Sequence, residues 1–327
     1  MVVEEPPSRL ASLADPPPTG GGDKEYPLTP SPPPQAERGA MSYAVLGLGK
    51  LGGREVSYHS DLDVVLVYAD PPADPTAAHH LFTTLAQRAI QTTGRTGPLG
   101  RLYEVDMRLR PTGQSGSLAV SLGEFRRYYA GGGAQWWERQ ALTRGRVVRA
   151  SDPAFAADVL AAVREAVTAL PCPGKLPDEV AAMRAKLEAS ASPRSLKRGR
   201  GGLTDVEFAV QLLQLTHARQ HPEILTPNVW DALGALTAAG LLPPAAAAAL
   251  HDGYSFLRFV EARLRIVTDR PLTELPDKPD DLARLARRSG FADPAAFTAR
   301  LERVRTEVRT AFERVLRGAN TAGGGDG

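Results

Sequence analysis

The spacing of apolar residues changes several times along the chain, and each change marks an element. From Tyr43 to Tyr68 (YAVLGLGKLGGREVSYHSDLDVVLVY) the pattern reads as strand, glycine-rich turn, short polar helix or loop, and a second strand opened by Asp61 and Asp63. Thr76–Thr93 places Ala78, Phe82, Leu85, Ala86, Ala89 and Ile90 on one helical stripe, which predicts an amphipathic helix packed on the sheet. Gly94–Gly100 breaks it, and Arg101–Arg110 (RLYEVDMRLR) then alternates strictly. A strand there would turn Tyr103, Val105, Met107 and Leu109 one way and Glu104, Asp106, Arg108 and Arg110 the other. After a turn at Pro111–Gly116, a helix is expected to start near Ser121 and run to Tyr129, with Glu124 in its first turn.

From Asp152 onward the chain is helical in pattern and rich in alanine. A helix is expected over Leu203–Gln220, capped by Thr204 or Asp205. Another spans Pro244–Thr268, where Leu250, Tyr254, Leu257, Val260 and Leu264 form the apolar stripe and Arg258, Glu261 and Arg265 read as the wet side. A third covers Asp293–Arg317, with Asp293 as cap and Pro294 at its first position. Residues 1–40, with PPP at Pro16–Pro18 and Pro32–Pro34, and residues 318–327 hold too little apolar surface to offset the entropy of ordering, and are expected to be disordered. The pattern therefore predicts an α+β domain at 41–150 and an α-helical domain at 151–317.

Composition narrows the function classes. A hydrophobic content of 43% with 23% charged residues is that of an ordinary globular protein, and a net charge of +2 does not suggest a nucleic-acid binder. The single cysteine, Cys172, excludes an internal disulfide and a cysteine-built zinc site. No apolar run approaches the ~18 residues of a membrane span, and no signal peptide is visible, so the cytoplasm is the expected location.

The candidate chemistry sits in the first segment. Side chains two apart on a strand share a face, so Asp61 and Asp63 would project together, roughly 7 Å apart at Cα, and invite a cation. Gly47, Gly49 and Gly52 spell the G-x-G-x-x-G of a dinucleotide site, but here the acids open the next apolar run instead of closing it. Lys50 is followed by Leu51, which excludes a Walker loop. What fits is a backbone loop close to a polyphosphate, followed by a metal-binding pair; a tight turn with two solvated aspartates would use the same letters. Asp106 can join Asp61 and Asp63 if the two strands are neighbours. Three convergent carboxylates are what nucleotidyl transfer with two Mg²⁺ ions needs, and Arg108 and Arg110 would neutralise phosphate charge. Lys197, Arg198 and Arg200, just before a helix N-terminus, form either an anion site or a solvated basic linker. Trp136 and Trp137 read as core and domain-interface packing ahead of an adenine platform, and Glu138 with Arg139 as a local ion pair. The six histidines show no ligand spacing.

Four segments in series, GKLGGREVSYHSDLDVVLVY, LYEVDMRLRPTGQSGSLAVSL, WWERQALTRGRVV and LKRGRGGLTDVEFAVQLLQL, resemble the adenylyltransferase modules of the bifunctional enzyme that adenylylates and deadenylylates glutamine synthetase. The likeness covers about residues 43–270. It implies a DNA polymerase β-like nucleotidyltransferase fold followed by an all-α helical domain. Asp61, Asp63 and Asp106 fall on the family's metal-binding aspartates, and Gly49, Lys50, Gly52 and Gly53 on its nucleotide loop, with Ser60 counted beside them. ATP as substrate, Mg²⁺ and glutamine synthetase as protein substrate follow from the same resemblance, with a PII-type signal protein as a further partner. Family members carry two modules in a chain about three times longer, whereas one module stands here. The TDVEF and LYEVDMRLRP spellings look closer to the transferring, C-terminal module. Three functions are thus expected in order: transfer of AMP to a tyrosine of glutamine synthetase, phosphorolytic removal of that AMP, and non-catalytic binding of glutamine synthetase or a PII-type protein.

Overall fold

A computed structural model describes residues 42–70, 74–95, 103–168, 175–268 and 270–322. The expected leader at 1–40 and Cys172 lie outside these residues. Five strands form one sheet: β1 (Tyr43–Gly47), β2 (Leu62–Tyr68), β3 (Val105–Asp106), β4 (Ala119–Ser121) and β5 (Arg146–Ala150). β1 runs antiparallel to both β2 and β5. The other edge of β2 is shared, with β3 parallel to its start and β4 parallel to its end.

β2 is covered on both faces, which is why it reads as a nearly continuous apolar run. Val65 and Val67 belong to the main core, while Leu66 and Tyr68 belong to a smaller one with Phe82, Ala86, Met107 and Ala119. The smaller core lies under α2 (Pro75–Thr93), whose short predecessor α1 is the single turn Gly49–Gly52. The amphipathic reading of α2 holds at Phe82 and Ala86, whereas Leu85 and Ala89 stay exposed. Asp74 caps this helix by accepting the Ala77 N–H at 2.9 Å.

Helices α3 (Leu122–Ala130), α4 (Trp136–Leu142) and α5 (Pro153–Thr168) pack on the opposite face. α3 begins with a capping box, in which Ser121 and Glu124 each satisfy a backbone N–H of the other. The all-helical part follows as α6 (Leu176–Ala189), α7 (Leu203–His217), α8 (Val229–Ala238), α9 (Pro244–Thr268), α10 (Pro279–Arg288) and α11 (Pro294–Ala322). α7 is buried on nearly every side and is contacted by α4, α6, α8, α9 and α11. One hydrophobic core runs without a break from Ala44 and Leu46 of β1 to Phe312 of α11.

Four expectations are corrected. The strand expected over Arg101–Arg110 is only Val105–Asp106 among the described residues, because the chain turns at once through Arg108–Thr112. The cap of α7 is Gly202, and the helix ends at His217. Asp205 is fully buried instead, paired with Arg184 and Arg309 and accepting the Gly201 N–H at 2.9 Å. The last helix continues to Ala322, past the expected end at Arg317, with Asp293 capping it through the Ala295 N–H.

Candidate active site

Register brings the carboxylates together. Asp63 on β2 stands opposite Asp106 on β3, and in a parallel pair such partners share a face. Asp61 lies just before β2 on the same side of the alternation. Burial first, then the charges of Asp106 and Asp61, push the Asp63 carboxyl up to about 6. Asp106 is held below its ordinary range, chiefly by hydrogen bonds from Arg108, whose Nε reaches both carboxylate oxygens at 2.9 and 3.0 Å.

The Leu48–Ser60 loop comes up against this pair. Leu48 N–H donates to the Asp63 carbonyl at 2.9 Å, and Gly49 follows with φ of 50°. A Cβ at Gly49 would stand 2.4 Å from Asp63 Oδ2, so only glycine lets the backbone approach the carboxylate this closely. At Gly52 a Cβ would stand 1.8 Å from the Arg144 carbonyl. Gly52 and Gly53 are thus packing positions behind the loop, while Gly49 faces the acids.

These groups open onto a cleft of about 540 Å³. Gly49, Lys50, Ser60, Asp61 and Asp63 line it from the sheet side, and Lys197 and Arg198 from the loop before α7. The charge of Lys197 is felt by Asp63. The basic loop therefore belongs to the site at two of its three cations. Arg200 instead pairs with Glu313 of α11 at 3.2 Å. Arg110 is buried and donates to the carbonyls of Met107, Gln114 and Gly116, so its guanidinium anchors the turn after β3.

Beneath the cleft lies a buried ionic framework that the sequence pattern placed in solvent. Glu261 of α9 has no exposed side-chain surface and holds Lys50 Nζ at 3.1 Å, Arg258 at 2.5 Å and Arg265 at 2.9 Å. Arg265 also donates to the carbonyls of Tyr58 and His59, and Arg258 to that of Glu55. Burial outweighs the Glu261 charge and brings the Lys50 ammonium down to about 8. Glu55, in turn, pairs with Arg144 at 2.7 Å and accepts the Tyr254 hydroxyl at 2.6 Å and the Val229 N–H at 2.8 Å. The glycine loop is thus clamped from below by α8 and α9.

Sequence reasoning also missed part of α4. Trp136 packs half-buried against the core, as expected of an interface tryptophan, but Trp137 is 45% exposed and lines the cleft together with Gln140 and Arg144. Glu138 accepts the Tyr128 hydroxyl at 2.6 Å and the Gln135 N–H at 2.8 Å, and Arg139 donates to the carbonyls of Tyr129 and Ala166. Trp137 and Gln140 are three residues apart on α4, so they share the helix face that lines the cleft, while Arg139 and Leu142 lie on its buried side.

Hard divalent cations take carboxylate oxygens, and a pair of carboxylates strained by mutual repulsion suits one. Among the described residues, no group of three His, Cys, Asp or Glu side chains closes into a metal cage in this structure. Asp106 has its two oxygens on Arg108, which supplies positive charge there. Asp61 and Asp63 are the kind of oxygen donors a magnesium ion takes, whereas both oxygens of Asp106 are engaged by Arg108. Among the described residues, no helix is long and apolar enough to cross a membrane.

Comparison with known proteins gives the same picture in two pieces. Residues 25–162 match the family described as glutamate-ammonia ligase adenylyltransferase, and residues 178–316 match that of GlnD PII-uridylyltransferase. The chain is 34% identical over 312 residues to a bifunctional glutamine synthetase adenylyltransferase/adenylyl-removing enzyme of Ralstonia nicotianae, covering 86% of this chain and 32% of that protein. A protein of the same description from Streptomyces coelicolor is 38% identical over 260 residues, 77% of this chain and 26% of its own length. A third, from Bradyrhizobium sp., is 36% identical over 286 residues, 84% and 28% respectively. The chain spans between a quarter and a third of the length of these relatives. It belongs to the glutamate-ammonia ligase adenylyltransferase family, with one nucleotidyltransferase domain followed by a helical region like that of the PII-uridylyltransferases.

Proposed function

We propose that the cleft transfers AMP from ATP to a tyrosine hydroxyl of glutamine synthetase and releases pyrophosphate. The observation that carries this reading is the register of Asp63 with Asp106, beside a glycine backbone and facing Lys197. In the reaction the tyrosine oxygen bonds to the α-phosphorus while the bond to the bridging oxygen breaks, and pyrophosphate takes that electron pair. Magnesium ions bound at Asp61, Asp63 and Asp106 would offset the charge on the attacking and leaving oxygens. Gly49 lets the backbone come within reach of the phosphates, and Lys197 and Arg198 supply opposing positive charge. Asp106 would hold the catalytic metal and help take the hydroxyl proton, and Arg108, now bonded to both of its oxygens, is the cation beside it.

The direction of transfer rests on LYEVDMRLRP and GGLTDVEF, which resemble the transferring module. The names of the relatives carry both activities, so the assay runs both. The chain is mixed with labelled ATP, Mg²⁺ and unmodified glutamine synthetase, and separately with adenylylated synthetase and phosphate, with Asp61→Asn as the blank. Label on the synthetase and little ADP release is the expected result. ADP release without transfer overturns the direction, and binding of the synthetase or a PII-type protein with neither reaction overturns the enzymatic reading.

A further inference from the structure

The carboxylates, Gly49, Lys197 and Arg198 account for the charged part of the cleft and leave its apolar part unassigned. That part is built by two residues that a stable core would not leave in water. Trp137 is 45% exposed and Leu109 40% exposed, and both line the cleft. Leu109 sits in the turn directly after Asp106 and Arg108, and Trp137 in the first turn of α4. The Trp137 indole is held edge-on by Trp136, with ring centroids 5.9 Å apart and planes at 83°. Much of its surface is open to the cleft.

The same part of the cleft carries a pair of buried side-chain amides. Gln140 of α4 and Gln211 of α7 are 5% and 9% exposed, and both reach the cleft wall. Gln140 Nε2 donates to Gln211 Oε1 at 3.0 Å, and Gln211 Nε2 donates to the Gln140 carbonyl at 3.2 Å. This reciprocal arrangement locks both amides in place and leaves Gln140 Oε1 and one N–H on each amide for another partner. An open aromatic surface, an aliphatic side chain and paired amides in one cleft fit a flat heterocycle with donors and acceptors on its edge.

Resting on the proposed nucleotide transfer, we infer that this slot takes the base of the nucleotide donor, with Trp137 stacking on the ring and Gln140 and Gln211 at its edge. The acceptor tyrosine is the other aromatic ring the reaction brings in. A phenol carries one polar group, its hydroxyl, and that oxygen is consumed by the reaction at the carboxylates. It has nothing left to offer a pair of amides, whereas a purine edge does. Trp137 is thus a specificity-determining residue for the donor.

Equilibrium binding of ATP and of inorganic tripolyphosphate, each with Mg²⁺, to the whole chain tests this. Trp137→Ala is expected to weaken ATP binding roughly 5- to 150-fold, the range for loss of one base–aromatic stack, and to leave tripolyphosphate binding unchanged. Trp137→Phe, which keeps a π-face, should recover most of the ATP affinity. Because Trp137 is already half in solvent, the unfolding midpoint should hold, and it serves as the check that the variant is intact. Equal weakening of ATP and tripolyphosphate would show a general disturbance of the cleft and overturn the inference. Unchanged ATP affinity with a raised KM for glutamine synthetase would give the slot to the protein acceptor and also overturn it. If the unaltered chain binds no ATP, the proposed transfer itself fails; if it binds ATP and Trp137→Ala makes no difference, only the base slot fails.

Discussion

Two groups of charges meet at the glycine loop and are satisfied in opposite ways. On α9, Glu261 has three cations within 3.1 Å and no exposed side-chain surface, so its charge is matched inside the protein. On the sheet, Asp63 faces two further carboxylates and is raised to about 6, so its charge is left unmatched until something positive enters the cleft. The first arrangement fixes a loop, and the second waits for a ligand. The difference separates a structural ion cluster from a site: Glu261 is buried among its cations, whereas Asp61 is exposed and Asp63 and Asp106 are half-buried, with like charges converging.

The sharpest way to break the comparison is to remove the central charge of the matched set. Glu261→Ala leaves Lys50, Arg258 and Arg265 buried without their anion, and breaking a buried pair in this way costs about 3–5 kcal/mol. Urea unfolding should show a loss of that size. A loss under 1 kcal/mol would mean that water already reaches the cluster.

The same operation on the unmatched set should have the opposite effect on stability and a severe one on chemistry. Asp63→Asn is expected to lower AMP transfer at least ~100-fold, equivalent to about 2.7 kcal/mol of transition-state stabilisation, while the protein stays folded. Label incorporation at saturating ATP checks the first part and circular dichroism the second. Retention of a tenth of the activity would remove Asp63 from the metal-binding set.

Titration sharpens the contrast further. The folded-state pKa of Asp63 is raised from 3.8 to about 6, so the folded protein holds this proton more tightly than the unfolded chain. Its contribution is therefore fully favourable below pH 4 and is lost as pH rises through 6. In Mg²⁺-free buffer, Asp63→Asn should match the unaltered protein near pH 4 and exceed it by about 1–3 kcal/mol at pH 7.5. Unfolding curves across that range give the answer directly. A constant difference at all pH values would mean that the charge of Asp63 is already matched.

The smallest effects belong to the basic loop, and here the structure divides three neighbouring cations. Changing Lys197 and Arg198 to Ala together should weaken ATP binding several-fold and flatten its salt dependence, since charge contacts are what salt screens. Arg200→Ala should leave ATP affinity unchanged and alter stability by less than about 1 kcal/mol, the usual worth of an exposed ion pair such as that with Glu313. Titrations at two ionic strengths distinguish the two variants.

The sequence by itself determined the strand–loop–strand unit, because two short valine- and leucine-rich runs flank a glycine-rich turn. It also put Asp61 and Asp63 on one side of the strand alternation, and it located the start of α3 near Ser121 and the long helices to within a few residues. These are local facts, set by backbone geometry and by neighbours two to four residues away. Only the tertiary structure decided what the charges do. The Arg258–Glu261–Arg265 stripe has the spacing of a solvated helix face, yet Lys50, 211 residues earlier in the chain, makes it a buried cluster. The alternation of Arg101–Arg110 suggested a long strand, yet the pull of Arg108 on Asp106 and of Arg110 on the turn carbonyls ends it after two residues. Trp136 and Trp137 are neighbours in sequence, and which of them packs and which faces the cleft depends on where α4 meets the core. Helix periodicity records which face differs from its opposite; the burial of a charge depends on whether an opposite charge arrives from elsewhere in the chain, and that information is carried by no single segment.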